Sequence, residues 1–274
     1  MGIFNTYGRN SLLDDVIKAS GGLDYYNSIK SISIKAALLG SIMEHKGLTS
    51  QILKFTVNTK LQRIDFHKFG DLFRGIYTPQ RTELYVQSPK SPTSILDNPR
   101  PRYMGGGSGT RQELHYQLYF FGYAFWYYFN IPFCLKLPGF STKELKSCHR
   151  GNGEVWRVLE IVFPDNFHTH TKVHRHYYDE EFRLRRIDYS DDIIESDPMA
   201  HYCYDHTRVG NLLIPRFRLA NYDSPWFSHT DAFMLFISAV EIETISDADG
   251  EENQDTSSTT QGVKRPIMGR CILL

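Results

Sequence analysis

The spacing of apolar residues changes once near the start of the chain, and the change separates helix from strand. Leu12, Leu13, Val16 and Ile17 recur at helical spacing behind Asn10 and Ser11, either of which can cap, and Gly21 and Gly22 end the run. A second short helix is predicted over Leu23 to Ile29. From Ser31 the period is two: Ile32, Ile34 and Ala36 alternate with Ser31, Ser33 and Lys35. Short turn-bounded segments near 51–57, 61–67, 72–77 and 82–87 continue the pattern, which is that of a β-meander. Pro89, Pro92, Pro99 and Pro101 with the glycine-rich run 105–109 predict a long mobile loop whose glycines act as a hinge. An aromatic-rich helix over Gln112 to Phe129 follows. Strands resume near 142–149, 154–163, 171–178, 182–190, 199–209, 212–220 and 232–243, with Gly210-Asn211 as a two-residue hairpin turn. About a dozen strands suit a barrel-like antiparallel sheet, and an inserted loop and helix suit a lid.

After Ile245 the sequence turns to Asp, Glu, Ser, Thr and Gln, which cannot bury enough surface to offset chain entropy. One domain over 1–245 and a disordered tail over 246–274 are therefore expected. Lys plus Arg and Asp plus Glu are balanced at 31 each, so no overall field attracts polyanions and nucleic acid is not an expected partner. The four cysteines lack CxxC spacing and the amino terminus lacks a signal-peptide pattern, which together predict a reducing, cytoplasmic location. The most apolar stretch, Tyr116 to Phe133, is interrupted by Gln117, Gly122, Asn130 and Pro132, so it is predicted to be a buried helix and not a membrane span. The glycine-rich run has no following Lys-Ser/Thr, which argues against a phosphate loop.

Several segments resemble a family of largely uncharacterised bacterial proteins along most of residues 11–245. They include Gly21 to Ser31, Phe121-Gly122-Tyr123-Ala124-Phe125-Trp126, Leu137-Pro138-Gly139-Phe140, Val155-Trp156-Arg157, Leu184 to Tyr189 and Pro215-Arg216-Phe217-Arg218. That family is in turn similar in architecture to the open-barrel proteins that include the lipoprotein carriers LolA and LppX and the violacein enzyme VioE. The resemblance implies a mainly β (α+β) fold: a curved antiparallel half-open barrel with N-terminal helices and an aromatic helical lid. It leaves function open, since proteins of this shape include carriers of acylated proteins and a cofactor-free enzyme. His170, His206, Tyr202, Asp205 and Arg218 are the polar residues carried over from the family pattern. The tail is not part of the resemblance.

The densest polar feature is Phe167 to His176, where His168, His170, His174 and His176 would share one face of a strand. Imidazoles can ligate zinc or copper, but at roughly 3.3 Å per residue the four spread over more than about 20 Å, so no metal site is assigned. The alternative is a set of exposed or cavity-lining histidines. A second strand would carry Tyr202, Tyr204, His206 and Arg208 on one face and His201, Cys203 and Asp205 on the other. His206 or His170 would then serve as acid or base near neutral pH with Tyr202 orienting a carbonyl, or the group would be a structural polar network. Tyr123, Trp126 and Tyr127 on the aromatic helix, with Arg218 and Asp205, are candidate ligand contacts. Asp188 and Tyr189, near Arg216 and Arg218, read as structural ion pairs.

The last four residues, Cys271-Ile272-Leu273-Leu274, match a prenylation signal whose terminal Leu favours geranylgeranylation in a eukaryotic cell, with Lys264, Arg265 and Arg270 upstream. They offer a peripheral membrane attachment on the cytoplasmic face. Two readings of the domain follow: a protein that binds an apolar small molecule such as a lipid, terpenoid or polyketide, or a cofactor-independent cyclase or isomerase of specialised metabolism. A prenylated scaffold that binds a protein is a third. No cofactor is expected in any of them.

Overall fold

The alternating segments become strands of one antiparallel sheet in a computed structural model that describes residues 11–40, 51–69, 73–86, 91–105, 113–193, 196–223 and 233–245. Helices α1 (Leu12–Ala19) and α2 (Leu23–Ser28) precede β1 (Ile29–Leu39), β2 (Gln51–Asn58), β3 (Ile64–Phe69), β4 (Phe73–Thr78), β5 (Arg81–Val86) and β6 (Ser94–Asp97). Helices α3 (Pro99–Tyr103) and α4 (Leu114–Asn130) and a 3-10 turn (Phe133–Lys136) lead into the second half. That half comprises β7 (Ser141–His149), β8 (Val155–Val162), β9 (Val173–Tyr178), β10 (Leu184–Asp191), β11 (Ser196–Val209), β12 (Leu212–Tyr222) and β13 (Phe233–Thr244).

The strand order is β6-β5-β4-β3-β2-β1-β13-β12-β11-β10-β9-β8-β7. The chain meanders outward from β1 to β6, crosses through α3 and α4 to the far edge, and meanders back until β13 pairs with β1. This is an open, curved antiparallel sheet with helices at its mouth. Breaks in register, at Lys35/Ala36 in β1, Lys54/Phe55 in β2 and Leu184/Arg186 in β10 among others, add the local twist that curvature needs. The curl brings the β2–β3 turn opposite the loop before β9, where Gln62 Nε2 donates to the His168 carbonyl at 2.5 Å. Arg100 of α3 reaches the same loop, donating to the Thr169 carbonyl at 3.0 Å and pairing with Asp192 at 3.3 Å.

Within the long loop expected over 89–109, β6 pairs with β5, and Pro99 and Pro101 open α3, where a fixed φ and a missing N–H suit the first helical turn. The hinge over 106–109 and the tail over 246–274, with Cys271, lie outside the described residues. Among the described residues no helix is long and apolar enough to cross a membrane.

Helix α4 lies in the concave face, and from Tyr116 to Asn130 every residue is buried. Its sequence has two stripes at four-residue spacing on opposite sides. Phe121, Phe125 and Phe129 face the N-terminal half of the sheet, where Phe125 lies 5.2 Å from Phe55 and Phe121 lies 6.3 Å from Phe69. Tyr119, Tyr123 and Tyr127 face the C-terminal half, meeting His168, His170, His174 and His176. Trp126 ties the helix to the β2–β3 turn by donating to the carbonyls of Asn58 (2.8 Å) and Leu61 (2.6 Å).

The helix sits this close because Gly122 has no side chain: a Cβ there would lie 2.1 Å from Tyr77 Cγ and 2.6 Å from Tyr77 Cβ. At Gly75 of β4 a Cβ would meet Leu118 methyls, at 2.6 and 2.9 Å. Gly122→Ala would raise stability by about 1 kcal/mol in an exposed helix. Here the root of a rigid ring blocks it, and overpacking of up to about 3 kcal/mol outweighs the gain. The expected result is a lower denaturation midpoint equivalent to about 2 kcal/mol, with a smaller loss for Gly75→Ala because the Leu118 tips can turn away. Equal losses would show that Gly122 does not set the helix-to-sheet distance.

Candidate functional site

Where the tyrosine side of α4 meets the inner phase of β9–β12, the core turns polar. Asp191, at the end of β10 and in phase with Ile187 and Tyr189, is fully enclosed. Its Oδ2 accepts from Tyr123 OH at 2.8 Å and contacts His170 Nδ1, while Oδ1 accepts from the Ile193 N–H at 2.8 Å. His170 Nε2 meets Tyr128 OH at 2.8 Å, Tyr128 OH meets Tyr189 OH at 3.1 Å, and Tyr189 OH meets His201 Nδ1 at 3.3 Å. One direction of donation satisfies the chain. His170 Nδ1–H faces the carboxylate and Nε2 accepts from Tyr128, which accepts from Tyr189, which accepts from His201. A second branch joins Tyr127 OH to His176 Nε2 at 2.6 Å and His176 Nδ1 to Tyr178 OH at 3.0 Å.

Burial sets the protonation of several side chains here. It pushes His176 down to about 3, helped by the Arg218 charge. It holds His174 and His201 well below the usual imidazole range, with neighbouring histidines adding to the effect on His174 and Arg218 to that on His201. Burial also raises the Tyr123, Tyr127 and Tyr128 phenols well above their usual range, so they are hydroxyl donors at neutral pH. Some polar atoms in this interior have no partner among the described residues: both ring nitrogens of His174, His201 Nε2, Thr169 Oγ1 and Arg218 Nε. Buried polar atoms are normally paired, so this density of exceptions marks the region.

Beside the network, at the C-terminal end of α4, is a pocket of about 40 Å³. Phe129, Ile131, Leu184, Leu212 and Ile214 wall it, and Tyr128, Tyr178, His206 and Arg218 supply its polar edge. Tyr128 joins pocket and network: its hydroxyl is in the chain, its carbonyl accepts from Arg218 Nη2 at 2.9 Å, and its ring lies 4.9 Å from the guanidinium. About 40 Å³ holds a few waters. Among the described residues the apolar space at this end of α4 is thus much smaller than the ligand-sized cavity expected from the sequence, with Tyr128 and Phe129 of α4 in its wall.

The structure brings together His170, Tyr123 and Tyr127 in the network and His206 and Arg218 at the pocket. It separates the rest. Trp126 holds the β2–β3 turn. Tyr202 is on the outer face, accepting from Arg186 Nη1 at 3.0 Å and stacked on Tyr204. Asp205 is exposed, with a left-handed backbone (φ 51°). The face assignment along this strand is corrected accordingly: His201 and Cys203 are enclosed, and Tyr202 and Tyr204 look out. His206 turns back to the pocket where alternation fails, opposite the successive buried residues Ile214 and Pro215. Its Nε2 meets the Leu184 carbonyl at 2.9 Å, and burial pushes it down to about 4, which removes it as an acid near neutral pH.

The histidine segment is corrected too. His168 and His170 lie in a loop and only His174 and His176 on β9, so the four do not share a strand face, and His170, His174 and His176 are buried and not exposed. Among the described residues no group of three potential ligands could hold a metal ion. Asp191, Tyr128 and Tyr178 were not singled out in the sequence. An acid in the buried phase of β10 is the signal that identifies Asp191, whereas Asp188 lies in the opposite phase and binds Arg186 and Tyr177.

No family model matches the chain, and no curated protein matches it. Among solved structures it is similar to a LolA superfamily protein from Nitrosomonas europaea, with 8% identity and a TM-score of 0.48 over 85% of this chain and 94% of that one. A DUF1329 family protein from Desulfovibrio piger gives 11% and 0.49 over 87% and 95%. The lipoprotein LppX of Mycobacterium tuberculosis gives 9% and 0.28 over 84% and 95%. LolA- and LppX-like proteins, named by the resemblance, are thus among the solved structures to which the chain is similar, and neither ligand nor chemistry follows from that.

Because His176 is held at about 3 and His168 and His206 at about 4, against 6.5 for an ordinary imidazole, the unfolded chain binds more protons than the folded one between these values. Their contribution to stability is complete above about pH 6.5 and is lost as pH falls toward 4 and then 3. Each such ring contributes up to about 1.4 kcal/mol per pH unit in that window. Urea midpoints measured from pH 7 to pH 5 should fall steeply, before ordinary carboxylates titrate, and less steeply in His176→Gln. A flat profile would show that the rings are not buried neutral.

Proposed function

We propose that the domain binds an apolar small molecule between the C-terminal half of α4 and strands β9–β12. The observation that carries this reading is the pocket at the end of α4: apolar walls, a few converging polar groups, and buried polar atoms beside it without partners among the described residues. Phe182 and Leu213 are partly exposed at its edge, so a ligand larger than the present space enters by displacing side chains and not strands.

A second reading, cofactor-independent cyclisation or isomerisation in specialised metabolism, is favoured by the Asp191–His170–Tyr128 chain. A carboxylate that fixes the imidazole tautomer, an imidazole acceptor and a phenol donor would form a proton relay, and Tyr128, its phenol, is also a residue of the pocket lining. The tail supports a separate proposal: geranylgeranylation of Cys271 would hold the domain at the cytoplasmic membrane surface, reinforced by Lys264, Arg265 and Arg270.

Native mass spectrometry of the protein from its own host, before and after organic extraction, tests these readings together. A defined small molecule lost on extraction is the expected result, and an isoprenoid mass that survives it is expected on Cys271. A protein that is empty and also takes up no fluorescent apolar probe would overturn the binding reading. If the extracted molecule is turned over, His170→Ala should abolish turnover while leaving its binding within about twofold. Unchanged turnover would eliminate the relay.

A further inference from the structure

Arg218 is about 1% exposed, yet among the described residues no carboxylate lies within ion-pair distance of it. Several more accessible arginines are paired with carboxylates, Arg100 with Asp192, Arg157 with Asp15, Arg185 with Asp179 and Arg186 with Asp188, while the likewise more accessible Arg208 and Arg216 donate to backbone carbonyls. Arg218 has weaker partners. Nη1 donates to Cys203 Sγ at 3.3 Å, Nη2 to the Tyr128 carbonyl at 2.9 Å, and Nε to nothing among the described residues. Cys203 does not serve as counter-ion, because burial pushes its thiol up and keeps it neutral. A buried, uncompensated charge opposes folding strongly, so a guanidinium kept in this state lacks a partner that something else supplies.

The place where that partner would sit is the pocket, since Arg218 lines it. Arg183, also lining it, is engaged by Asp179 and Glu181, which leaves Arg218 as the unneutralised cation at this site among the described residues. At about 40 Å³ the present space suits a carboxylate-sized group better than a bulkier headgroup, with Ile131, Leu184, Leu212 and Ile214 around it to receive an apolar chain. Beyond desolvation, the low protonation of His206 owes something to Arg218 and Arg183, which fits a positive field at this spot.

We propose that Arg218 anchors the carboxylate of an apolar monocarboxylic acid, which enters the pocket headgroup first. The proposal rests on the small-molecule reading above and narrows it to acids. Guanidinium N–H donors match a carboxylate in geometry, and a hydrogen-bonded ion pair formed out of water is stronger than one at the surface.

Calorimetric titration of the full chain with decanoate, decanol and decyltrimethylammonium tests it without any variant. Decanoate should bind about tenfold or more tightly than decanol, and the cation weakest of the three. In Arg218→Gln the preference of decanoate over decanol should vanish. Equal affinities for decanoate and decanol in the natural protein would overturn the anchor and leave the apolar site standing, whereas binding of neither would overturn both. A preference that survives in folded Arg218→Gln would also exclude Arg218 as its source. Should that variant fail to fold, the natural protein's preference still decides, and Leu213→Trp at the pocket edge should weaken decanoate and decanol alike if both use this entrance. Undiminished decanoate binding in Leu213→Trp would place the acid elsewhere and overturn the proposal.

Discussion

A sheet whose end strands β6 and β7 are not paired with one another cannot enclose its own core, and the seating of α4 in its concavity does so instead. A helix buried on every side must be compatible with whatever it meets on each side. Here the two sides differ. Phe121, Phe125 and Phe129 pack on the phenylalanines of β2 and β3, where dispersion and exclusion of water suffice. Tyr119, Tyr123 and Tyr127 carry hydroxyls to His168, Asp191 and His176. The alternating Tyr and Phe at spacing two, each repeating at four, thus encodes which half of the sheet each side of the helix touches. The contact of Gly122 with Tyr77 fixes the depth at which both sets can engage at once.

The polar half of the interior is a demanding arrangement. At low dielectric a completed hydrogen bond is worth more than in water, and an uncompleted one costs more. The chain from His201 to Asp191 uses each proton once, and exchanging any hydroxyl for hydrogen would leave an acceptor bare. His174 has no such arrangement among the described residues: it is wedged between Tyr127, Phe163 and Tyr189 with both nitrogens idle. A core selected for stability alone would place an apolar side chain there, so His174 is better explained by what this region does than by what it weighs in folding.

Much of the architecture was legible in the sequence. The change from period 3.6 to period 2 at Ser31, the Gly210-Asn211 turn and the segments from 142 to 243 all correspond to observed elements, because strands of a half-buried sheet must alternate and turns must use turn residues. Strand β6 and α3 were missed because four prolines in a short span read as loop, although proline is compatible with an edge strand and with a helix start. The site was less legible. His170, Tyr123 and Arg218 were recognisable by type, but the phase of β11 depended on which side the sheet curls, and a period of two cannot reveal that. His206 escaped the alternation through a local irregularity beside the left-handed Asp205. Asp191 is the instructive omission, since its neighbour Asp188 has the same chemistry and only the strand phase separates an enclosed carboxylate from a surface ion pair.

Tyr128 is where these lines converge. Its backbone carbonyl and ring hold Arg218, and its hydroxyl holds His170 and Tyr189, so one residue belongs both to the pocket wall and to the enclosed proton chain. Anything that draws the guanidinium toward the pocket relaxes its hold on the carbonyl at the last turn of α4, where no later residue of the helix can compensate. The phenol cannot follow that movement without lengthening its bond to His170, since a tyrosine side chain between its backbone and its hydroxyl is rigid apart from two torsions. On the binding reading proposed above, occupancy of the pocket would be felt at the Asp191–His170 pair through this single stiff side chain.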